Sequence, residues 1–274
     1  MGETTVISIN EICQFLNQFA PIQLGEEWDN VGLLVGDRQL SAERIMTCLT
    51  ITPNVVEEAI EQRANLIVSH HPLPFHATKR LTTDSIPSRM LWDLIRAGIG
   101  IYSPHTGFDS AEKGINQSIA NRLGLSQTKP LIPVADPDDD EAQEPVVGAG
   151  RTGVFKVDLT LKQFTQKVKD EFKIDGLHVV GSDDAKVCRV GIACGSGGSF
   201  LKRAQSLGCD TFVTGETTFH TCLEAKSSGI SLVLLGHYAS ERFAIEMLAD
   251  EIATAFESCN VWSSKSESDP LRWV

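Results

Sequence analysis

Histidine and carboxylate side chains follow three apolar segments that the sequence predicts to be strands. Ligand sites in α/β proteins form just outside the carboxyl ends of parallel strands. Imidazole and carboxylate groups together suit zinc, iron, manganese, nickel or cobalt. The donors are too many for one tetrahedral zinc and about right for two divalent ions, whose identity the sequence does not select. They are His70 and His71, His105 and Asp109, and His237 and Glu241.

The spacing of these donors suggests how they could be used. If a helix begins at His237, then His237 and Glu241 stand four residues apart on one face. That geometry allows two ligands to one metal, or a carboxylate that bridges two. His70 and His71 are adjacent, so in extended chain we expect their side chains to point apart and to serve different metals, or one metal and its surroundings.

Each donor also has an ordinary structural interpretation. A single histidine at a strand end is often a cap or a polar filler. Asp109 could cap a helix that begins near residue 111, and Glu241 could be a first-turn carboxylate that interacts with the helix dipole.

A second group follows another predicted strand, in the segment TGETTFH (214–220). Glu216 and His220 could orient a ligand, act as a general base, or simply begin a capped helix. The turn GSGGS (195–199) could bind a phosphate through its N–H groups, or it could be a plain tight turn between a strand and a helix. Phe200 stands where a dinucleotide fingerprint has its third glycine.

Strands and helices alternate along the chain, which indicates largely parallel sheets covered by helices. The predicted strands are 44–51, 65–69, 99–103, 151–159, 177–181, 187–194, 210–215 and 231–236. The predicted helices are 53–63, 86–97, 111–123, 161–172, a helix ending at 208, a helix ending at 229, and 239–257. The segment SSKSESDP (263–270) is expected to be mobile.

Composition excludes several classes of protein. Lys plus Arg total 24 and Asp plus Glu total 36, so the net charge is −12. Binding to duplex nucleic acid or to an anionic membrane is therefore not expected. The segment 136–144 holds six acids and no base, and predicts an exposed loop or domain junction. Seven scattered cysteines without a C-x-x-C pair, and a first segment unlike a signal peptide, favour a cytoplasmic protein.

Four blocks of the sequence resemble the NIF-three-like dinuclear metal-centre family, whose members often carry the name GTP cyclohydrolase I type 2 homologue. In chain order, the blocks are EEWDNVGLLVG (26–36), IVSHHPLPF (67–75), TGETTFH (214–220) and GHYASE (236–241). The family often has Asp where this chain has Glu216.

The resemblance implies two α/β domains with mixed, largely parallel sheets, a metal site in the interdomain cleft, and a toroidal homohexamer. It implies a first domain of 1–128 plus 232–274 and a second of 129–231. It also implies that two divalent metal ions bind a common set of ligands, with Glu241 as the bridge and His105 close by. These ligands are His70, His71, Asp109, His237 and Glu241.

Together these observations predict a metal-dependent hydrolase that acts on a nucleotide or a phosphorylated small molecule. The family name implies GTP ring opening. The predicted catalytic residues are His105, Glu216 and His220. The alternative is a non-enzymatic metal-handling or regulatory scaffold, or an interaction module that the metal stabilises.

Overall fold

The computed structural model describes residues 6–134 and 146–274. The acidic segment 136–144, predicted to be an exposed loop or junction, lies outside the described residues. Contacts divide the chain into two compact units, each built from two stretches of sequence. Unit 1 comprises residues 1–108 and 242–268, and unit 2 comprises residues 109–241 and 269–274.

Unit 1 is built on a five-stranded mixed sheet. Its strands are β1 (Gly32–Val35), β2 (Arg44–Cys48), β3 (Leu66–Ser69), β4 (Gly100–Ser103) and β13 (Asn260–Ser263). The strand order is β1-β4-β3-β2-β13, in which only the edge strand β1 runs antiparallel to its neighbour. The helices of this unit are α1 (Ile9–Phe19), α2 (Pro53–Glu61), α3 (Ile86–Arg96) and α10 (Phe243–Ala255).

The helices of unit 1 begin where local sequence signals place them. Thr52 caps α2 and accepts a hydrogen bond from the Val55 N–H, with Pro53 at the first helical position. Helices α2 and α3 then bury their apolar faces against β2, β3 and β4 in one core. The carboxyl ends of β3 and β4 are thereby fixed side by side.

The C-terminal segment differs from its prediction as a mobile tail. Strand β13 pairs in parallel with β2. Beyond it, the Glu267 carboxylate accepts hydrogen bonds from the N–H groups of Leu49 and Thr50, at 2.9 and 2.6 Å. The serine-rich composition suggested mobility, but these bonds to a distant segment hold the chain through residue 267.

Unit 2 contains a six-stranded mixed sheet and a small two-stranded one. The larger sheet has the order β5-β8-β10-β11-β12-β9, with a parallel centre (β10, β11, β12) and antiparallel edges. Its strands are β5 (Ser126–Lys129), β8 (Arg151–Thr160), β9 (His178–Val180), β10 (Lys186–Ala193), β11 (Thr211–Thr214) and β12 (Ser231–Leu234). The smaller sheet pairs β6 (Ile132–Pro133) with β7 (Gly148–Ala149).

The helices of unit 2 include two that the sequence did not predict as separate elements. The predicted last helix is two helices, because α9 ends at Glu241 and α10 begins at Phe243. The helix predicted at 111–123 is preceded by α4, which contains the boundary between the units. Helix α4 (His105–Ser110) spans the boundary, and the helices wholly within unit 2 are α5 (Ile115–Arg122), α6 (Leu161–Phe172), α7 (Leu201–Ser206), α8 (Phe219–Ser228) and α9 (His237–Glu241).

These elements confirm an α/β fold with mixed, helix-flanked sheets. The chain passes from one compact unit to the other at 108/109 and again at 241/242. The division predicted from the sequence places these boundaries at 128/129 and 231/232. The physical reason is that α5 packs against β5, β8 and β10, so its contacts lie within unit 2. Each helix in residues 6–134 and 146–274 is too short or too polar to cross a lipid bilayer.

A fully buried arginine organises one end of the unit 2 sheet. Arg151 is 0% exposed, and its guanidinium donates to the carbonyl oxygens of Gly148, Gly150 and Ala111 at 2.6 to 2.8 Å. Its Nε also donates to Gln117 Oε1 at 2.9 Å. Burial lowers the pKa of Arg151 to about 10, so the group still carries its charge at neutral pH.

Replacing this arginine tests its structural role. We expect Arg151→Leu to lower the free energy of unfolding by about 3 kcal/mol, because several buried carbonyl groups lose a charged donor. Urea denaturation measures the change. The exposed Arg189 on β10 is the control, and Arg189→Leu should alter stability by less than about 0.5 kcal/mol. Equal effects of the two variants would refute this role for Arg151.

Candidate metal centre

Three histidine rings gather at the carboxyl ends of β3 and β4 in unit 1. The centroids of the His70, His71 and His105 rings lie 5.1 to 5.6 Å apart. Each ring offers one nitrogen within 4.8 Å of the others, a group that could hold a metal ion. His70 is fully buried and His105 nearly so, whereas His71 is partly exposed.

The adjacent histidines do not point apart, as extended chain would require. Strand β3 ends at Ser69, and the Ser69 hydroxyl donates to the His71 carbonyl at 2.6 Å. This bond closes a bend that turns both rings into the same cluster. The expectation for extended chain does not apply here, because the chain bends at His70 and His71, directly after β3 ends.

An aspartate that the sequence analysis did not single out orients His105. Asp29 Oδ1 lies 2.7 Å from His105 Nδ1, and Asp29 Oδ2 accepts hydrogen bonds from the N–H and the hydroxyl of Thr106. Burial disfavours the charged carboxylate, but the bonds from His105 and Thr106 outweigh it and lower the pKa of Asp29 to about 2. His105 itself has φ of +28°, which few residues other than glycine adopt.

A threonine and the C-terminal segment position His71. Thr50 Oγ1 lies 2.6 Å from His71 Nδ1. The backbone of Thr50 is in turn bonded to Glu267, whose carboxylate also pairs with Arg242 Nε at 3.2 Å. With Nδ1 engaged by Thr50, Nε2 is the His71 atom suited to coordinate a metal.

In unit 2, His237 lies between two carboxylates. Its Nε2 is 3.1 Å from Glu241 Oε2 and its Nδ1 is 3.0 Å from Glu216 Oε1. The spacing of four residues in α9 thus brings His237 and Glu241 together on one helix face, as predicted. The carboxylate of Glu241 raises the pKa of His237 to about 9, opposed by burial and aided by Glu216.

The glycine-rich turn after β10 supports this helix. The Gly195 N–H donates to Ser240 Oγ at 2.9 Å, and the Gly197 N–H donates to Thr214 Oγ1 at 3.0 Å. These donors are used within the protein, which favours the tight-turn interpretation over a phosphate cradle. Gly195 has φ of +57°, and a Cβ there would collide with the Glu241 carboxylate.

Asp109 stands beside a buried cysteine. The Cys194 thiol donates to Asp109 Oδ1 at 3.2 Å. Burial, together with the charges of Asp109 and Glu241, raises the pKa of Cys194 well above its ordinary value. Asp109 does not cap a helix, because α5 begins at Ile115 with Gly114 as its N-cap.

The Glu216 and His220 segment combines two of its predicted interpretations. Glu216 orients His237, and Thr218 caps α8 by accepting from the Thr221 N–H. His220 is exposed in the first turn of α8, where its ring lies 6.0 Å from Phe219. The structure thus brings Glu216, but not His220, into hydrogen-bond contact with His237 among the described contacts.

These side chains fit a divalent metal. Imidazole nitrogens bind such ions at about 2.0–2.1 Å, so ring nitrogens up to 4.8 Å apart need only small side-chain rotations to share one. In metal sites, a hydrogen bond between a histidine Nδ1 and a nearby oxygen atom usually orients the ring so that its Nε2 can coordinate the metal. His71, His105 and His237 each have such an oxygen, from Thr50, Asp29 and Glu216.

Comparison with known proteins identifies the family. Residues 7–270 match the family model Duf34/NIF3 (NGG1p interacting factor 3). A Clostridium acetobutylicum protein named GTP cyclohydrolase 1 type 2 homolog is 31% identical, with 97% of this chain and 99% of the relative covered. The Schizosaccharomyces pombe protein NIF3 homolog is 30% identical over 91% of this chain and 92% of its own length. The chain belongs to the DUF34/NIF3 family.

Solved structures share the fold. Staphylococcus aureus protein SA1388 superposes with a TM-score of 0.87 at 26% identity, covering 98% of this chain and 99% of its own. A Bacillus cereus protein related to NIF3 gives a TM-score of 0.88 at 22% identity, covering 99% and 100%. Some relatives are longer, since a Bacillus subtilis protein, 24% identical, aligns over 366 residues that cover 96% of this chain and 98% of its own length.

Gly195 offers a test of the unit 2 group. We expect Gly195→Ala to weaken metal binding at least tenfold, because the new methyl group displaces the Glu241 carboxylate. Gly208→Ala is the control, since Gly208 has a similar φ of +74° but open space around it. Both variants should lose about 1 kcal/mol of stability from the left-handed backbone. Chelator competition measures the metal affinity of both variants. Equal affinity would show that the close packing of Gly195 against the Glu241 carboxylate does not matter for metal binding.

Asp29 offers a test of the unit 1 group. We expect Asp29→Asn to lower metal affinity by about 10- to 100-fold, because the neutral amide no longer fixes the His105 ring as a carboxylate does. The neighbouring exposed acid supplies the control, and Glu27→Gln should bind metal as the unaltered chain does. Zinc titration against a fluorescent chelator measures both. Unchanged affinity in Asp29→Asn would show that Asp29 does not orient a ligand.

Proposed function

We propose that the chain is a metal-dependent hydrolase whose substrate is a nucleotide or another phosphorylated small molecule. In this proposal two divalent ions are held by a set of imidazole and carboxylate ligands. Those ligands are His70, His71, Asp109, His237 and Glu241. The observation that carries the proposal is the cluster of His70, His71 and His105, whose rings converge at the end of a sheet.

The unit 1 cluster has the features of a metal site rather than of an ordinary polar core. Its rings are those of His70, His71 and His105, of which His70 is fully buried. Placing three such rings within 5.6 Å of one another uses space that apolar side chains would fill more favourably. Imidazole nitrogens gathered in this way could hold a divalent cation.

The unit 2 group adds carboxylates, as a site for two ions requires. Glu241 is only 3% exposed and contacts His237. Asp109, the other carboxylate, accepts a hydrogen bond from the Cys194 thiol. A carboxylate has two oxygen atoms and can therefore bridge two ions. The resemblance of GHYASE (236–241) to the family's last block supports the same role for Glu241.

Bound divalent ions would supply Lewis acidity and lower the pKa of water to near neutrality. The side chains of this chain contribute orientation and proton transfer. His105 is the candidate for moving a proton, because Asp29 holds its Nδ1 and lets Nε2 accept or release one. Glu216 acts through His237, which it orients. His220 remains a candidate for proton transfer on the exposed first turn of α8.

Several relatives are named GTP cyclohydrolase 1 type 2 homolog, which supports GTP as the first substrate to assay. The metal could be zinc, iron, manganese, nickel or cobalt, since the mixed donors suit all five. The homohexamer and the cytoplasmic location stay predictions from the sequence.

Metal content and turnover together test the proposal. We expect the purified chain to carry about two divalent ions, as dinuclear hydrolases do, and to hydrolyse GTP or a phosphoester. Glu241→Gln should lower both metal content and activity, because it removes the proposed bridging charge. Glu251→Gln, at an exposed acid of α10, is the matched control and should change neither.

Elemental analysis and product detection by mass spectrometry provide the readouts. The proposed hydrolase activity is refuted if, on every substrate, the unaltered chain is no more active than His71→Ala or Glu241→Gln. Metal bound without turnover would assign the chain to the non-enzymatic metal-handling proteins instead.

A further inference from the structure

A cavity of about 390 Å³ opens beside His71 in unit 1. Its walls include Thr50, His71 and the apolar side chains of Met90 and Leu91. Met90 and Leu91 also belong to the core of the unit, so this part of the cavity is formed by packed structure. The volume is within the range of about 300–1,000 Å³ typical of small-molecule sites.

The lining of the cavity determines what it can accept. Among the described residues that line it, none is Asp, Glu, Lys or Arg. A phosphate or carboxylate placed there would lose its water without gaining a cationic side chain among these lining residues. The polar groups are the Thr50 hydroxyl, the imidazoles of His71 and His76, and two more hydroxyls, from Thr78 and Ser88. These suit an uncharged occupant that carries hydrogen-bonding atoms on an otherwise apolar body.

Phe75 gives the cavity an aromatic wall that is also open to solvent. Its side chain is 44% exposed, and its ring centroid lies 4.7 Å from His76 and 6.1 Å from Trp28, which is itself 61% exposed. Such exposed aromatic surface is unfavourable in water unless something covers it.

The aromatic pair is held in place rather than loosely attached. Asn30 Nδ2 donates to the Pro74 carbonyl at 2.8 Å, which joins the Trp28 loop to the Phe75 segment. Asp29, between Trp28 and Asn30, is anchored by His105 and Thr106. Rigid aromatic faces bind flat rings with little loss of conformational entropy.

We propose that this cavity binds a planar, uncharged heterocyclic ring, stacked against Phe75, with any charged substituent left outside. The inference rests on the proposed function in one respect, namely that the ring is the part of the hydrolase substrate that approaches the metal ligand His71. A ring site beside His71 favours a nucleotide over a phosphorylated small molecule without a heterocycle as the substrate. The heterocycle, and not the phosphate, lies beside His71.

Binding of nucleosides to the purified full-length chain tests this assignment. Guanosine and uridine are the uncharged ring probes, and ribose 5-phosphate is the charged probe without a heterocycle. Calorimetric titrations are run with zinc-loaded and with chelator-treated protein. We expect at least one nucleoside to bind in both forms, and ribose 5-phosphate neither to bind there nor to compete.

Variants locate the binding. Phe75→Ala should weaken nucleoside binding by about tenfold, as loss of one stacking ring does, and Phe75→Tyr should restore it to within about twofold. Phe219→Ala, at an exposed phenylalanine of unit 2, is the matched control and should have no effect. Ser88→Phe, which places a ring in the cavity from the half-buried face of α3, should abolish binding without altering metal content.

The outcomes separate this inference from the proposed function. Absence of binding by both nucleosides, binding insensitive to Phe75→Ala and Ser88→Phe, or competition by ribose 5-phosphate would overturn the cavity assignment. Metal content is measured on the same samples. A chain that binds nucleosides in this cavity but holds no metal would refute the hydrolase while leaving the ring site standing.

Discussion

Hydrogen bonds to the Nδ1 atoms of His71, His105 and His237 are the constraint on which the candidate site depends. Thr50 makes this bond to His71, Asp29 makes it to His105, and Glu216 makes it to His237. Because an imidazole has two nitrogens, fixing one fixes the direction of the other. Each oxygen is supplied by a different part of the chain, so the fold must bring a loop, a strand end and a turn to the right places.

Local signals in the sequence predicted the elements better than the pairings. The helix predicted at 161–172 matches α6, and the capping box at its start, formed by Thr160 and Gln163, involves only neighbouring groups. Strand β13 was missed, since its partner β2 lies more than 200 residues earlier and nothing in its own four residues indicates the pairing.

The strand-end histidines were predictable because their position after apolar runs is visible in the sequence. Of their orienting partners, Glu216 was among the predicted residues, whereas Asp29 and Thr50 were not. Asp29 lies in a block that resembles the family, but only the folded chain shows that it contacts His105. Glu267 stands in a serine-rich tail whose composition suggests mobility, and its bonds to Leu49 and Thr50 join sequence-distant segments.

The bonds of Arg151 have a consequence for how this family can acquire new sequence. Arg151 holds the carbonyls of Gly148 and Gly150, and β7 pairs with β6, so β6 and β7 form a closed base at this point of the chain. The entropy of closing a loop on such a base grows only with the logarithm of its length. Added residues there would leave the sheet of unit 2 undisturbed, which makes this junction a natural point of entry for a whole extra module during evolution.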